Sequence, residues 1–365
     1  MRDTIMQGVA KGMFPGAVVC VARNGDPLFF EAHGESDPAQ GRAMSIETRF
    51  DISTLTKVVA TLPAVLRTVQ LGKCTLVDPV ARFLPELATG VDRHAKGQIT
   101  LFHLLSHASG LPAWKPLFLE ARGVKAYLRA MADTPLEAVP GERLINSDLG
   151  YMLLAFALER IWDRPFAEVC ERLVFGPLEL YQTSFAEGDG LPPELCAVTE
   201  PGNEQEQRRV VAAGRHASFP WRDHVLCGEA QDGNAFYGLD GVAGHAGLFS
   251  TALDLTRYAE MWVRKGIHQR QRYLDTTLVS LAVNSHAVWQ GQRFGLGWET
   301  AAADCPAGER APLLSYGQLS TTGCSLWCDP VRKLTSVILT NAAQGSQSDG
   351  LYDWTRAVHK RVFND

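Results

Sequence analysis

Residues 50–59 place the strongest constraint on how this chain can fold. They read FDISTLTKVV, an exposed turn that continues directly into a run of apolar residues. Apolar side chains then recur at the three- and four-residue spacing of a buried helix, which predicts a core helix over 54–71. The positions on that spacing are Val58, Val59, Leu62, Val65, Leu66 and Val69.

Thr54 and Lys57 stand three residues apart where this helix is predicted to begin. A hydroxyl in the first turn lies in the positive end of the helix dipole, and a lysine three residues on lies one turn further along the same face. A nucleophile and a base could therefore meet here. The same residues also fit a structural interpretation, in which Ser53 or Asp51 caps the helix and Lys57 is a solvated or paired charge.

The overall charge limits the classes of partner. The 365 residues carry a net charge of -5 and contain no run of Lys or Arg, so there is no electrostatic footprint for nucleic acid or an anionic membrane. No apolar stretch approaches the length of a membrane span, and the first six residues lack the apolar core of a signal peptide. We therefore expect a cytoplasmic protein with a neutral small-molecule or peptide partner. The sequence leaves the oligomeric state open.

Cysteine and histidine are scattered rather than clustered. The eight Cys form no Cys-x-x-Cys pair and the ten His are dispersed, so we expect reduced structural thiols and neither a metal nor a cofactor. His103 and His107 lie four residues apart on a predicted helix, but no third ligand accompanies them, which favours buried packing residues. His245 lies between the two glycines of a Gly-x-x-Gly segment. The backbone conformations that glycine allows explain this segment, which favours a packing or turn role for His245.

Strand patterns occupy both ends of the chain and helical patterns its middle. Residues 17–22 and 27–32 flank Asn24-Gly25, and residues 324–328 and 334–340 flank Asp329-Pro330, so each pair predicts a hairpin. Helical periodicity covers about 115–180, whereas residues 183–245 have weak periodicity and are predicted to be long loops. A long polar gap is predicted around 265–292.

These patterns predict an α+β fold in which one antiparallel sheet is built from both chain ends and flanked by helices. The strands of that sheet are expected from residues 14–48 and 293–341. The predicted division is a discontinuous sheet domain, 1–72 and 285–365, with an inserted lobe, 73–284, that is mainly helical with long loops. A site would lie between the two.

Four ordered segments resemble the serine β-lactamase and penicillin-binding-protein superfamily, and the likeness is closest to class C β-lactamases and family VIII carboxylesterases. The resemblance covers nearly the whole chain, from the entry segment at 14–19 to the hairpin at 325–330, and implies a β-lactamase/transpeptidase-like fold. The four segments are 50–58 (FDISTLTKV), 104–112 (LLSHASGLP), 140–151 (PGERLINSDLGY) and 244–251 (GHAGLFST).

Each catalytic motif of that superfamily is altered here. The nucleophilic serine falls on Thr54, whose extra methyl restricts its rotamer and would crowd an incoming carbonyl, while the lysine is kept as Lys57. The tyrosine of the second motif falls on Asn146, which cannot act as a base. The third motif, normally His-x-Gly or Lys-Thr-Gly, falls on Gln318-Leu319-Ser320.

By resemblance, the candidate catalytic residues are Thr54, Lys57, Asn146 and Gln318, and the candidate substrate-binding residues are Ser147, Asp148, Leu319 and Ser320. We expect the four candidate catalytic side chains to converge on one cleft, with Lys57 buried and hydrogen-bonded to the oxygen of Asn146 or Thr54. Two of these residues also have structural interpretations, because Asp148 could cap the helix that follows and Gln318 could be an ordinary polar strand residue.

Two functional hypotheses follow. General acid–base help from one positioned group is worth about 10²–10⁴ in rate, so the loss of three groups predicts impaired or lost acyl-hydrolase activity with a retained cleft for an acyl or peptide-like small molecule. The alternative is an active acyl hydrolase, esterase or acyltransferase that uses Thr54 as nucleophile and Lys57 as base, with backbone N–H groups near Thr54 and residue 320 as oxyanion hole. Beside these two hypotheses, a nucleophile shifted to Ser53 or Ser147 and a purely structural role stay open.

Overall fold

The computed structural model describes residues 1–215, 218–289, 291–302, 305–308, 311–342 and 350–364. The helices are α1 Arg2–Ala10, α2 Leu62–Gln70, α3 Arg93–Lys96, α4 Leu101–Leu105, α5 Gly123–Ala132, α6 Asp148–Trp162, α7 Phe166–Cys170, α8 Glu204–Ala212, α9 Ala252–Val263, α10 Thr276–Val283 and α11 Leu351–Asn364.

The strands alternate with these helices at both ends of the chain. They are β1 Gly16–Arg23, β2 Asp26–Asp37, β3 Arg42–Ala43, β4 Phe50–Asp51, β5 Ser184–Phe185, β6 Val198–Pro201, β7 Val225–Cys227, β8 Leu248–Ser250, β9 Ile267–His268, β10 Gln271–Arg272, β11 Ala287–Trp289, β12 Gln292–Phe294, β13 Glu299–Thr300, β14 Tyr316–Leu319, β15 Ser325–Asp329 and β16 Leu334–Thr340.

One large antiparallel sheet joins the two ends of the chain. Its strand order is β11-β12-β13-β14-β15-β16-β1-β2-β3, so the C-terminal strands meet the N-terminal ones where β16 pairs with β1. The β1–β2 turn places both Asn24 and Gly25 at positive φ, the backbone of the turn type that Asn-Gly favours. The predicted shared sheet and the predicted α+β fold are both confirmed.

Helices cover both faces of the sheet. Seven of the eight residues of β1 are buried, because α9 packs on one face while α1 and α11 pack on the other. The larger apolar core lies on the α9 side and also contains α2 and α6. No helix in the described part of the chain is both long and apolar enough to cross a bilayer.

The predicted helix over 54–71 is interrupted by a wider turn. Ser53–Leu55 forms a 3₁₀ turn and Lys57–Thr61 a π turn before α2 begins at Leu62. Pro63 explains the change, because it has no N–H to donate to the carbonyl one α-helical turn earlier. The segment is buried as expected, since every residue from 57 to 61 is buried.

Two predictions about the middle of the chain were wrong. Residues 183–245 are not only loops, because they contain α8 and the small β6–β7 sheet, and the gap at 265–292 contains α10. Helix α8 was missed because only two of its nine residues, Glu206 and Val210, are buried, which leaves almost no apolar periodicity. The division into a sheet domain and a helical lobe at 72 and 285 stays a prediction.

Candidate active site

A cleft of about 740 Å³ lies where β13 and β14 approach the turn before α2 and the start of α6. Of the residues predicted for the site, Thr54, Lys57, Asn146, Asp148, Gln318 and Leu319 border this cleft. The structure therefore brings together side chains from three distant parts of the sequence. Further lining residues come from α8 and from the loop after β7, and they include Gln205, Glu206, Arg209, Gln231 and Asp232.

The turn that carries Thr54 is held by a buried carboxylate. Asp51 is 2% exposed; its Oδ1 accepts the Ser53 N–H at 2.7 Å and its Oδ2 accepts the Gln231 N–H at 2.8 Å. Burial raises the pKa of Asp51 to about 6, although the two hydrogen bonds oppose the rise. Ser53 has a left-handed backbone, with φ of 47°. Asp51 therefore joins the turn before α2 to the loop that carries Gln231.

Lys57 is buried and has two polar partners. Its ammonium donates to Asn146 Oδ1 at 2.8 Å and forms an ion pair with Asp148 Oδ1 at 2.8 Å, while the Tyr151 ring centroid lies 5.5 Å away. The Lys57 side chain is only 2% exposed. The expected hydrogen bond to Asn146 is present, and Asp148 is an additional partner. Two N–H bonds of the Lys57 amine are therefore directed at Asn146 and Asp148 rather than at Thr54.

The predicted cap at the start of α6 is on the neighbouring residue. Ser147 is the N-cap, since its Oγ accepts the Gly150 N–H at 3.2 Å and donates to the Pro112 carbonyl at 2.6 Å. Asp148 is the first residue of the helix and directs its carboxylate to Lys57. The expectation that Asp148 caps the helix was therefore wrong. Ser147 is 1% exposed and does not border the cleft, which leaves its hydroxyl without access to a ligand.

Thr54 and Gln318 meet at the base of the cleft. Gln318 Nε2 donates to the Thr54 carbonyl at 3.4 Å, and this contact fixes which end of the amide is the oxygen. Gln318 Oε1 is buried without a hydrogen-bond partner. Within the described residues the Thr54 hydroxyl makes no hydrogen bond, either to Lys57 or to any other group. Among the described residues, Thr54 and Lys57 are therefore not joined by a hydrogen bond between their side chains.

Ser320 lies behind the cleft rather than in it. Its Oγ is bonded to the Thr322 hydroxyl at 2.9 Å, its N–H donates to the Cys324 carbonyl at 2.8 Å, and the residue is 6% exposed. An N–H that already closes a turn cannot also stabilise an oxyanion. The expectation that residue 320 supplies part of an oxyanion hole was therefore wrong, and only Leu319 of the pair 319–320 borders the cleft.

The wall formed by α8 and the loop after β7 was missed at the sequence level. Glu206 is 6% exposed, and its Oε2 accepts the Gly233 N–H at 3.3 Å while its Oε1 has no partner. Asp232 faces His245, with 3.0 Å between Oδ1 and Nε2. The one available signal was the polar run after Asn203, in which Glu204 and Glu206 supply the acidic first turn typical of a helix start.

Burial acts differently on the carboxyl groups of this wall. Burial, reinforced by the nearby charge of Asp232, raises the pKa of Glu206 to about 8. Burial also opposes ionisation of Asp232, but the adjacent His245 outweighs it and brings the pKa of Asp232 to about 2. On the sheet side, burial raises the pKa of Glu299 to about 7. At neutral pH the cleft therefore holds both an ionised carboxylate and a neutral carboxylic acid.

The cleft thus offers donors and acceptors for a polar ligand, and it is bordered by four of the positions that carry the altered motifs, Thr54, Lys57, Asn146 and Gln318. Among the described residues, no three His, Cys, Asp or Glu side chains come together as metal ligands would. The eight Cys are all free thiols.

The family model described as Beta-lactamase matches residues 1–359, and the chain belongs to the beta-lactamase family. It is 30% identical over 359 residues to the N-acetylmuramyl-L-alanine amidase of Bacillus subtilis (strain 168), a match that covers 92% of this chain and 79% of that protein. The resemblance inferred from the four motifs is confirmed.

Two solved structures illustrate the same fold. EstCE1, described as a hydrolase with promiscuous acyltransferase activity, superposes with a TM-score of 0.76 at 24% identity, covering 98% of this chain and 96% of its own. A class C beta lactamase from Rhodobacter sphaeroides superposes with a TM-score of 0.74 at 16% identity, covering 98% of both chains. At these identities the likeness shows the fold alone.

Proposed function

We propose that this protein is a non-catalytic member of the beta-lactamase family that uses the inherited cleft to bind a peptide-like amide. The observation that carries the proposal is the state of Lys57. Its ammonium is bound to Asp148 and Asn146, and it makes no hydrogen bond to the Thr54 hydroxyl. A general base must be within hydrogen-bond reach of the proton it abstracts, and Lys57 is hydrogen-bonded to other groups instead.

The other two altered positions support the same conclusion. Asn146 occupies the place of the family's tyrosine and uses its oxygen to hold Lys57, so it supplies no base. Gln318 replaces a cation or imidazole with a neutral amide. Each of these groups is worth about 10²–10⁴ in rate when correctly placed, and groups that act as a unit fail together.

The ligand class follows from the unused hydrogen-bonding groups. Gln318 Oε1 is an acceptor without a partner, and Asn146 is exposed with its oxygen already occupied, so its Nδ2 group is available as a donor. An acceptor and a donor on the two sides of one cleft match the N–H and C=O of a peptide group. The relative from Bacillus subtilis is named as an amidase, so its name also points to an amide ligand.

An esterase assay beside a binding assay tests the proposal. The wild type and Thr54→Ala are incubated with 4-nitrophenyl butyrate, and melting temperatures are recorded with and without small alkyl amides. We expect no hydrolysis that depends on Thr54, and a melting temperature raised by the amides. Turnover that is abolished in Thr54→Ala would instead establish the alternative, an acyl hydrolase with Thr54 as nucleophile.

Ser53→Ala serves as the control for a shifted nucleophile. The Ser53 hydroxyl borders the cleft and is bonded to Thr321 Oγ1 at 2.8 Å, so it has no base beside it. The variant is expected to leave the ester assay unchanged. Ester cleavage that is lost in Ser53→Ala but kept in Thr54→Ala would place the nucleophile one residue earlier and refute the non-catalytic proposal.

We also propose that the protein acts in the cytoplasm. All eight Cys are free, and seven of them are buried. Thiols in this state are typical of a reducing compartment. Fractionation of the source cells, with a secreted marker as comparison, tests this location.

A further inference from the structure

Glu206 is a buried acidic residue of the cleft that belongs to none of the inherited motifs. It lies on α8, borders the cleft and is 6% exposed. One carboxyl oxygen accepts a backbone N–H from Gly233, and the other, Oε1, is buried with no partner at all. A buried acceptor without a partner is costly, which makes such an atom a candidate ligand contact.

The surroundings of Glu206 are predominantly acidic. Burial is the main factor that opposes ionisation of Glu206, and the charges of Asp232, from the loop after β7, and Asp148, from α6, add to its effect. Arg209, on the same helix, is the cation that most favours ionisation, but its guanidinium stacks on the Trp114 ring at 4.2 Å. Lys57 is already paired with Asp148. Within the described residues, no cation forms an ion pair with Glu206.

We propose that Glu206 marks a subsite for the ammonium group of the ligand, so that the ligand is an amide that also carries a primary amine. This inference rests on the proposed function, because it adds a second recognition group to the amide that binds near Gln318 and Asn146. The ammonium donates to Glu206 Oε1, and the negative charges of Asp148 and Asp232 favour its presence. The ligand cation thereby replaces the proton that Glu206 carries in the free protein.

This exchange has a thermodynamic signature. At neutral pH the Glu206 carboxyl is protonated, because its pKa is raised to about 8. Binding of an ammonium favours the ionised carboxylate and therefore releases a proton to the buffer. Binding of a neutral amide does not change the charge of Glu206. Proton release thus separates an ionic contact at Glu206 from a merely structural role of this residue.

Matched ligand pairs provide the test. A series of ω-aminoalkanamides of increasing chain length is compared with alkanamides in which a methyl group replaces the ammonium. Binding is measured by calorimetry near pH 7 in two buffers of different ionisation enthalpy. We expect at least one aminoalkanamide to bind about tenfold or more tightly than its neutral partner and to release a proton, because a hydrogen bond to a charged group is worth about 1.5–3 kcal/mol.

Two variants locate the effect. Glu206→Gln keeps an oxygen for the Gly233 N–H, so it is expected to fold, to bind the neutral amides as before and to lose both the amine preference and the proton release. Glu204→Gln removes a charge from the same helix at an exposed position, where Glu204 pairs with Arg208, and is expected to behave as the wild type. A melting profile for each variant shows whether it is folded.

The outcomes separate the two proposals. Equal affinity of every matched pair, or an amine preference that survives in Glu206→Gln, would overturn the ammonium subsite while leaving the amide-binding cleft in place. Amines that bind through Glu206 when neutral amides do not bind at all would support the subsite and refute the amide contact. If neither series binds, both proposals fail.

Discussion

Ser53 takes a backbone conformation that residues with side chains rarely adopt. Its φ of 47° lies in the left-handed region, where a Cβ atom approaches the following carbonyl oxygen and costs about 1–2 kcal/mol. Two contacts hold it there, the N–H bond to Asp51 and the hydroxyl bond to Thr321. Strain of this kind persists where the surrounding structure fixes it.

This strain predicts that the protein is more stable with glycine than with alanine at position 53. Ser53→Gly loses the hydroxyl contact but relieves the left-handed strain, whereas Ser53→Ala loses the contact and keeps the strain. We expect Ser53→Gly to be more stable than Ser53→Ala by about 1 kcal/mol in urea unfolding. If Ser53→Ala were as stable as Ser53→Gly or more stable, the left-handed conformation would not be imposed on this residue.

The carboxyl of Glu206 makes the stability of the protein depend on pH. Its pKa rises from 4.5 to about 8 on folding, so between these values the folded state binds a proton that the unfolded state has lost. The free energy of unfolding therefore falls as the pH rises through this window and levels off above it. Asp51 and Glu299 act in the same direction over narrower ranges, because their pKa values rise to about 6 and about 7.

Glu206→Gln isolates the contribution of this one carboxyl. Glutamine does not titrate, so the variant is expected to gain stability relative to the wild type as the pH is raised from about 5 to about 8. The measurement is the difference in melting temperature between the two proteins across that range. A difference that stays constant with pH would mean that Glu206 ionises as readily in the folded protein as in the unfolded chain.

At the scale of elements, the positions of the three altered motifs meet at one cleft. The π turn carries Lys57, the start of α6 carries Asn146, and β14 carries Gln318. All three elements border the same cleft, so the altered chemistry lies in side chains and not in the placement of the elements. This placement makes recovery of activity a realistic experiment.

Three substitutions together are expected to restore ester hydrolysis. Thr54→Ser alone should gain little, because the base relay and the third-motif group are still missing. The triple variant Thr54→Ser, Asn146→Tyr and Gln318→His should cleave 4-nitrophenyl butyrate at least about 10²-fold faster than the wild type, and by more than the product of the single changes.

The matched control carries Thr54→Ala with the same two other substitutions. It retains the new tyrosine and histidine but has no nucleophile, so it should show only background hydrolysis. If the folded triple variant is no faster than this control, the cleft no longer admits an acyl group. The turn at Ser320, or the wall formed by α8 and the loop after β7, would explain that result.

The sequence predicted some elements closely and others not at all, and the difference has a physical origin. Strand β16 was predicted at 334–340, as observed, because it has a strong local pattern. Helix α8 has almost no buried apolar face, and its side chains join the cleft only through tertiary contacts. The inherited motif positions could therefore be predicted, whereas the Glu206 wall could not.

At the scale of the molecule, the β1–β16 pair lies in the interior of the sheet. Both strands have partners on each side, β2 beyond β1 and β15 beyond β16, and every residue of β16 is buried. Amide protons in these strands are therefore expected to exchange only when the whole protein unfolds. Hydrogen exchange followed by mass spectrometry tests this expectation.

The comparison strand in that experiment is β11. Within the described residues it forms the outer edge of the sheet and pairs with β12 alone, so its amides are expected to exchange much earlier. If residues 16–23 exchanged as quickly as residues 287–289, the N-terminal strands would open independently, and the sheet would not unfold as one cooperative unit.

The pairing of β1 with β16 also sets the order in which a newly made chain can assemble. Gly16 donates to the side chain of Asn341, which is 325 residues later. Strand β1 therefore leaves the ribosome long before β16 has been made. At about 5–20 residues per second, the β1–β2 hairpin waits for roughly tens of seconds with an open edge and an uncovered apolar face. The large sheet is therefore completed only after Asn341 has been made, and until then the N-terminal hairpin is expected to be the part of the nascent chain with an exposed strand edge.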